Sequence, residues 1–218
     1  EIGSPPSDAI ILFNGTDLIS WKNSKSGKIA NWTINDDKSM TVKQDGGIET
    51  IEEFGSIQFH IEWKTPKDIK GNGQGRGNSG VIFQRRFEVQ VLDSYNNRTY
   101  SNGQAASVYK QYSPLVNASK GPGEWQTYDI VFMEPIYDKP GEEIKPGSLI
   151  VFHNEVLVQN NVILKGTTEY IGKPLKGKDV VSTYLRTFTN PKENLKKTIM
   201  LQDHGNPVQF RNIWLRKL

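Results

Sequence analysis

Residues 57–63 read Ile57-Gln58-Phe59-His60-Ile61-Glu62-Trp63. Apolar and polar side chains alternate without a break. In an extended strand, residues i, i+2 and i+4 share a face. Ile57, Phe59, Ile61 and Trp63 therefore form one face; Gln58, His60 and Glu62 form the other. The split recurs at 87–91, where Phe87, Val89 and Val91 oppose Glu88 and Gln90. It recurs again where Ile199 and Leu201 oppose Met200, Gln202 and His204. A sandwich with one solvated face per sheet would show such alternation. An ordinary solvated face, however, favours Lys, Thr, Ser and Glu. These faces carry Gln, His and Glu, which better suits a hydrogen-bonding groove.

Working outward, no window of 12 or more residues holds a helical apolar stripe free of Gly and Pro. Short β-branched and aromatic runs recur between Gly, Pro, Asn and Asp clusters. They predict strands at 9–13, 31–34, 39–43, 47–50, 55–64, 79–85, 86–92, 106–109, 126–133, 148–153, 155–159, 198–203 and 208–217. Asn14-Gly15, Asp45-Gly46-Gly47 and His153-Asn154-Glu155 are tight-turn candidates. The expectation is an all-β chain, a sandwich or barrel. Residues 1–8 read as a flexible lead-in and 9–218 as one domain. The start at Glu1 is expected to follow a removed export signal, with the protein in the periplasm, outside the cell or on its surface, although a trimmed cytosolic chain would look the same.

Composition narrows the chemistry. The 218 residues include no Cys, so thiolate sites and disulfides are excluded. A mean hydropathy of −0.57 and the lack of a long apolar run argue against a membrane-spanning helix. A net charge of +3, from 27 basic and 24 acidic residues, is too small and mixed to imply nucleic acid.

Three loops are long and polar: 66–78, 93–105 and 111–124. Loops of this length in a compact domain are usually functional or mobile. The first holds Gly71, Gly73, Gly75 and Gly77, yet lacks the Lys-Ser/Thr ending and following helix of a phosphate-binding loop. Arg76 and Asn78, where it re-enters a strand, are better site candidates than its glycines. Glu88-Val89-Gln90-Val91-Leu92-Asp93 is the most suggestive string. Asp93 would point away from Glu88 in a regular strand; a bulge near Val91-Leu92 would turn it back. Two carboxylates on one strand could then flank a glycosidic bond. His204 is a candidate base, metal ligand or turn donor.

Several strings together resemble a bacterial family now called 3-keto-disaccharide hydrolase. They are Phe13-Asn14-Gly15-Thr16-Asp17-Leu18-Ile19-Ser20-Trp21, Glu62-Trp63-Lys64, Gly77-Asn78-Ser79-Gly80-Val81 and Phe87 to Asp93. Gly123-Glu124-Trp125-Gln126-Thr127, His153-Asn154-Glu155 and Leu201 to Ile213 follow in order. The resemblance implies a concanavalin-like jelly-roll sandwich of two antiparallel sheets with a concave groove, related to laminarinase-type glucanases. Those glucanases carry Glu-x-Asp-x-x-Glu; here the string is Glu88-x-Gln90-x-x-Asp93, which does not suit double displacement. The resemblance points instead to 3-keto-glycosides cleaved by removal of the C2 proton, β-elimination and hydration. That route needs one placed base and an enolate stabiliser.

The expected site follows. Glu88 or His204 would be the base, and Asp93 a second acid/base or an orienting group. Arg76, Asn78, Gln90, Lys110 and Gln202 would hold hydroxyls or the keto oxygen. Glu62 and His60 would complete the site, and Tyr109, Trp125 and Tyr95 would stack on sugar. A divalent metal held by Glu and His could stabilise the enolate, though no ligand spacing establishes one. The expected partner is an oligosaccharide or 3-keto-glycoside. The other reading is a non-catalytic, lectin-like carbohydrate-binding module.

Overall fold

The computed structural model describes residues 4–137, 143–168 and 197–218. Two antiparallel sheets pack face to face. The larger holds, in spatial order, β13 (Val156–Ile163), β12 (Ser148–His153), β9 (Gln126–Met133), β6 (Ile57–Lys64), β15 (Gln209–Lys217), β4 (Met40–Thr41) and β3 (Thr33–Ile34). β1 (Ile10–Phe13) pairs with the far half of β15. The smaller sheet runs β2 (Trp21–Asn23), β5 (Ile48–Thr50), β14 (Ile199–Leu201), β7 (Ser79–Phe83) and β8 (Phe87–Val91). A separate ribbon joins β10 (Ile136–Tyr137) to β11 (Glu143–Lys145). This is the jelly-roll sandwich that the resemblance implied, and of the sandwich or barrel that the alternating segments allowed it is the sandwich.

The apolar faces meet as the alternation requires. Phe59, Ile61, Trp63, Val89, Val91, Ile130 and Leu201 are all fully buried. Phe59 of the larger sheet meets Phe83 of the smaller edge-on, with centroids 5.6 Å apart, and Phe83 stacks on Phe132 at 4.9 Å. Aromatic pairs at such distances add to the gain from burial alone. The Tyr128 hydroxyl crosses the interface to donate to the Gln90 carbonyl at 2.7 Å. His153, the last residue of β12, packs between the rings of Trp63 and Tyr128 and bonds Gln126 at 2.8 Å. Burial, with nearby Lys120, pushes its pKa down to about 3, so it stays neutral. The turn that follows it is Asn154-Glu155, both at positive φ.

Three short strands (β2, β10 and β11) lie outside the segments marked by periodicity, because two or three residues carry no readable period. Conversely, 106–109 is not a strand. Ala106 and Lys110 have φ of 64° and 62°, which break a ladder. The segment still covers the open edge of β8: Gln90 donates to Ser107, Ala106 to Gln90 and Tyr109 to Glu88 through the backbone. Part of the lead-in is also anchored, since Asp8 accepts three bonds from Arg216.

The glycine-rich loop is clamped rather than free. The Asn97 side chain accepts from the Gly73 N–H at 2.8 Å and donates to the Gly73 carbonyl at 3.0 Å. Gln74 reaches Thr99 and Gly103 of the next long loop. The two loops therefore wall one end of the smaller sheet together.

Candidate active site

The outward face of the smaller sheet holds a cleft of about 290 Å³, lined by Asn78, Ile82, Arg85, Arg86, Glu88, Gln90, Tyr109, Thr168, Gln202 and His204. Strand register builds its floor. Gly80 pairs with Gln90, and Ile82 with Glu88, across β7 and β8. The Gln202 N–H donates to the Gly80 carbonyl as β14 leaves the sheet. Outward positions of three strands thus form two short rows.

Glu88 occupies the space that Gly80 leaves. A Cβ on Gly80 would stand 2.3 Å from the Glu88 carboxyl, an impossible approach. The residue is 8% exposed, and among the described residues its carboxyl makes no hydrogen bond or ion pair. Burial alone pushes its pKa up to about 8. A carboxyl of this kind gives or takes a proton near neutrality.

Around it the amides are ordered. Gln90 donates to Gln74 at 3.0 Å and to Asn78 at 3.3 Å. The Asn78 side chain donates to the Gln74 carbonyl, and its backbone N–H is held by Asn206 at 2.7 Å. Two polar atoms of the lining are buried without a partner among the described residues: Gln202 Oε1 and Arg86 Nε. Buried polar groups are normally paired, so both are exceptions in this lining. Arg86 is held by Gln84 at 2.6 Å, and Arg85 by Glu49 at 3.4 Å. His204 is exposed at the rim.

The structure therefore brings Glu88, His204, Asn78, Gln90, Gln202 and Tyr109 together. Other expected residues lie elsewhere. β8 pairs β7 in unbroken register and ends at Val91, with no bulge. Asp93 is consequently past the strand, where it accepts from Arg76 Nε at 2.7 Å. Both line a neighbouring hollow of about 440 Å³ rather than the Glu88 cleft. Lys110 sits 3.5 Å over the Tyr100 ring, beside Tyr109, and is not a lining residue. Tyr95, past Asp93, is 46% exposed and holds Arg76 through its carbonyl.

His60, Glu62 and Trp125 are a clear correction. β6 belongs to the larger sheet, so its outward residues face the opposite side of the sandwich from Glu88. There the His60 ring bonds Asp129 at 2.7 Å and stacks on Trp214. Glu62 accepts from Arg211 at 2.7 Å and Asn212 at 2.9 Å. Trp125 lies under Arg211 and Lys64. Burial would lower the His60 pKa, but Asp129 and Glu62 outweigh it and lift it to about 9. Burial would raise that of Glu62, but His60, Asn212 and Arg211 bring it down to about 2.

Sequence reading missed Arg85, Arg86, Ile82 and Thr168, and also Gln74, which positions Gln90. The two arginines sit where an apolar run breaks between 83 and 87, a signal that was available. Among the described residues, no group of three or more His, Asp or Glu gathers in a way that could hold a metal ion.

Residues 8–216 match the family described as a 3-keto-alpha-glucoside-1,2-lyase-like domain. The chain is 23% identical over 254 residues to a 3-keto-disaccharide hydrolase of Bacteroides thetaiotaomicron, covering 98% of this chain and 80% of that protein. A solved structure described as a "putative glycosyl hydrolase" from Parabacteroides distasonis superposes with a TM-score of 0.87 at 43% identity. The match covers 98% of this chain and 85% of that one. A second protein of that organism, described in the same words, shares the fold at a TM-score of 0.62 and 22% identity, covering 96% and 99%. Family and relatives mark a glycosyl-hydrolase-like, carbohydrate-active protein. The chain belongs to the 3-keto-alpha-glucoside-1,2-lyase-like domain family.

Proposed function

We propose that the Glu88 cleft cleaves glycosidic bonds of 3-keto-glycosides by elimination and hydration. The observation that carries this reading is Glu88 itself: among the described residues it is a buried, unpartnered carboxyl and the sole carboxylate lining the cleft. Retaining and inverting glycosidases need two carboxyl groups across the bond. Elimination needs one base.

A ketone at C3 acidifies the C2 proton, which the Glu88 carboxylate takes. The electron pair passes to the C3 oxygen as an enolate. When it returns, a C1–C2 double bond forms and the C1–O bond breaks. The departing oxygen takes up a proton, for which His204 at the rim is the proposed donor. Water then adds across the double bond, hydroxyl to C1 and hydrogen to C2, giving the free 3-keto sugar. Arg86, a lining residue held in place by Gln84, is the proposed donor to the enolate oxygen, the kind of fixed charge that stabilises such intermediates. Asn78, Gln90 and Gln202 would hold ring hydroxyls.

Incubation with 3-keto-trehalose should release both monosaccharides, with solvent deuterium entering C2 of the keto product. No release from 3-keto-glycosides of several linkages, with and without added divalent cation, sinks the enzyme reading and leaves the binding module. Release without deuterium at C2 would instead favour direct displacement.

A further inference from the structure

The hollow lined by Arg76 and Asp93 abuts the Glu88 cleft. Gly77 lines one and Asn78 the other; His204 lines one and Gly205 the other. Two pairs of chain neighbours thus straddle the boundary, and neighbouring Cα atoms are about 3.8 Å apart. The Asn206 side chain closes the saddle by accepting from the Asn78 N–H at 2.7 Å. Two sugar rings joined by one oxygen require two adjoining sites, and these hollows adjoin.

The lining chemistry is mixed in the way a sugar ring needs. Hydroxyls both donate and accept. The hollow offers Arg76 and Lys70 as donors, Asp68 and Asp93 as acceptors, and Asn206 as an amide. Pro66, Ile69 and Pro207 supply apolar surface for the C–H face of a ring, and Ile69 stands 54% exposed. Arg76 is buried and fixed, with Nε on Asp93 at 2.7 Å and Nη2 on the Tyr95 carbonyl at 3.0 Å. Gly77 permits this arrangement: its φ is +55°, and a Cβ there would come within 2.9 Å of Thr65 and 3.1 Å of Asp93. Among the described residues, Lys67 and Lys70 make no ion pair, so both remain available at the rim.

We propose that this hollow is the leaving-group subsite, taking the second sugar ring of a two-ring substrate. The scissile oxygen would then lie over the Asn78–Asn206 saddle, with His204 beside it. The inference rests on the cleavage proposed at Glu88. It also assigns Arg76 and Asp93 to leaving-group recognition instead of to proton transfer.

Hydrogen exchange on the Glu88→Gln variant tests it, because that variant should hold substrate without turning it over. With 3-keto-trehalose, protection is expected in 66–70 and 205–207 as well as in 80–90. With methyl 3-keto-α-glucoside, protection is expected in 80–90 alone. Protection of 66–70 and 205–207 by neither ligand, or equally by both, overturns the subsite. Kinetics add a second arm. An Arg76→Met/Asp93→Leu double variant removes both charges together, since removing one would leave a buried charge unpaired; Lys70→Ala serves if that variant does not fold. Either should shift the ratio of kcat/KM between the two substrates at least fivefold against the disaccharide. An unchanged ratio counts against the subsite. If the wild type turns over neither substrate while two-ring protection persists, the proposed chemistry and the leaving-group role both fall, and the hollow is a binding site for the second ring only.

Discussion

The Glu88 carboxyl keeps its proton up to about pH 8 when folded, against an ordinary value of 4.5. Between those values the native chain binds more protons than the unfolded chain, so stability falls as pH rises through the window. At pH 7 the cost is about 3 kcal/mol. Glu88→Gln removes that cost. Its melting temperature at pH 7 should exceed the wild type's by roughly 5–10 °C, with the gap closing toward pH 4.5. The same variant should lose at least about a hundredfold in kcat on a 3-keto-glycoside, within the range that general-base catalysis contributes. In the wild type, kcat/KM should rise with pH and level off above about 8; a profile flat from pH 6 to 9 would remove Glu88 as the base. Gly80 is the other half of this site. Gly80→Ala, whose new methyl would stand 2.3 Å from the carboxyl, should displace Glu88 and cut kcat/KM by about tenfold or more. A crystal structure of the variant checks the displacement directly. Glu88 was legible because alternation put it outward on a strand with an apolar back. Gly80 was not, since a strand glycine shows its purpose only when the neighbour above it is known.

At the level of elements, β15 shows how far periodicity carries. Its pairing with β6 slips between Arg211 and Trp214, and Asn212 adopts φ +47° at the slip. Two consecutive side chains, Arg211 and Asn212, therefore both reach Glu62, while Ile213 turns into the core. Strict alternation cannot anticipate this, nor can it say which sheet a strand joins. That second gap is why His60 and Glu62 read as neighbours of Glu88 when they belong to the other sheet. Their network ties β6 to β9 and β15. His60 contributes stability fully below pH 6.5 and loses it as pH rises through about 9; Glu62 contributes above 4.5 and loses it as pH falls toward 2. The network is thus strongest between about 4.5 and 6.5. His60→Ala leaves Glu62 and Asp129 without their shared partner and should cost about 1–3 kcal/mol. Urea unfolding at pH 6 measures it. Turnover at the Glu88 cleft should stay within twofold of wild type; a tenfold loss would mean the two faces communicate.

Across the whole molecule, the two sheets are joined by more than apolar contact. The Tyr128 hydroxyl, on the larger sheet, holds the Gln90 carbonyl beneath the cleft floor. Tyr128→Phe should cost about 1 kcal/mol and raise KM for a keto-glycoside a few-fold, because Gln90 loses its support from below; steady-state kinetics beside thermal unfolding separates the two effects. The sandwich itself was readable from segments as short as five residues, since burial of one side of each strand leaves a period-two trace. The walls of the cleft were less so. Asn97 clamping Gly73, and 106–109 shielding β8 without forming a strand, are loop contacts that no period records. One arrangement within the sandwich bears on how the chain assembles in the cell. β15, far downstream in the chain from its partners, sits in the interior of the larger sheet, beside β6 and against both β1 and β4. A nascent chain on the ribosome has made β1, β4 and β6 long before the strand that joins them emerges. Until then three strands wait with open edges, exposed to association with other chains. The larger sheet therefore closes only once β15 has left the exit tunnel, and a chaperone that shields strand edges would act before that moment.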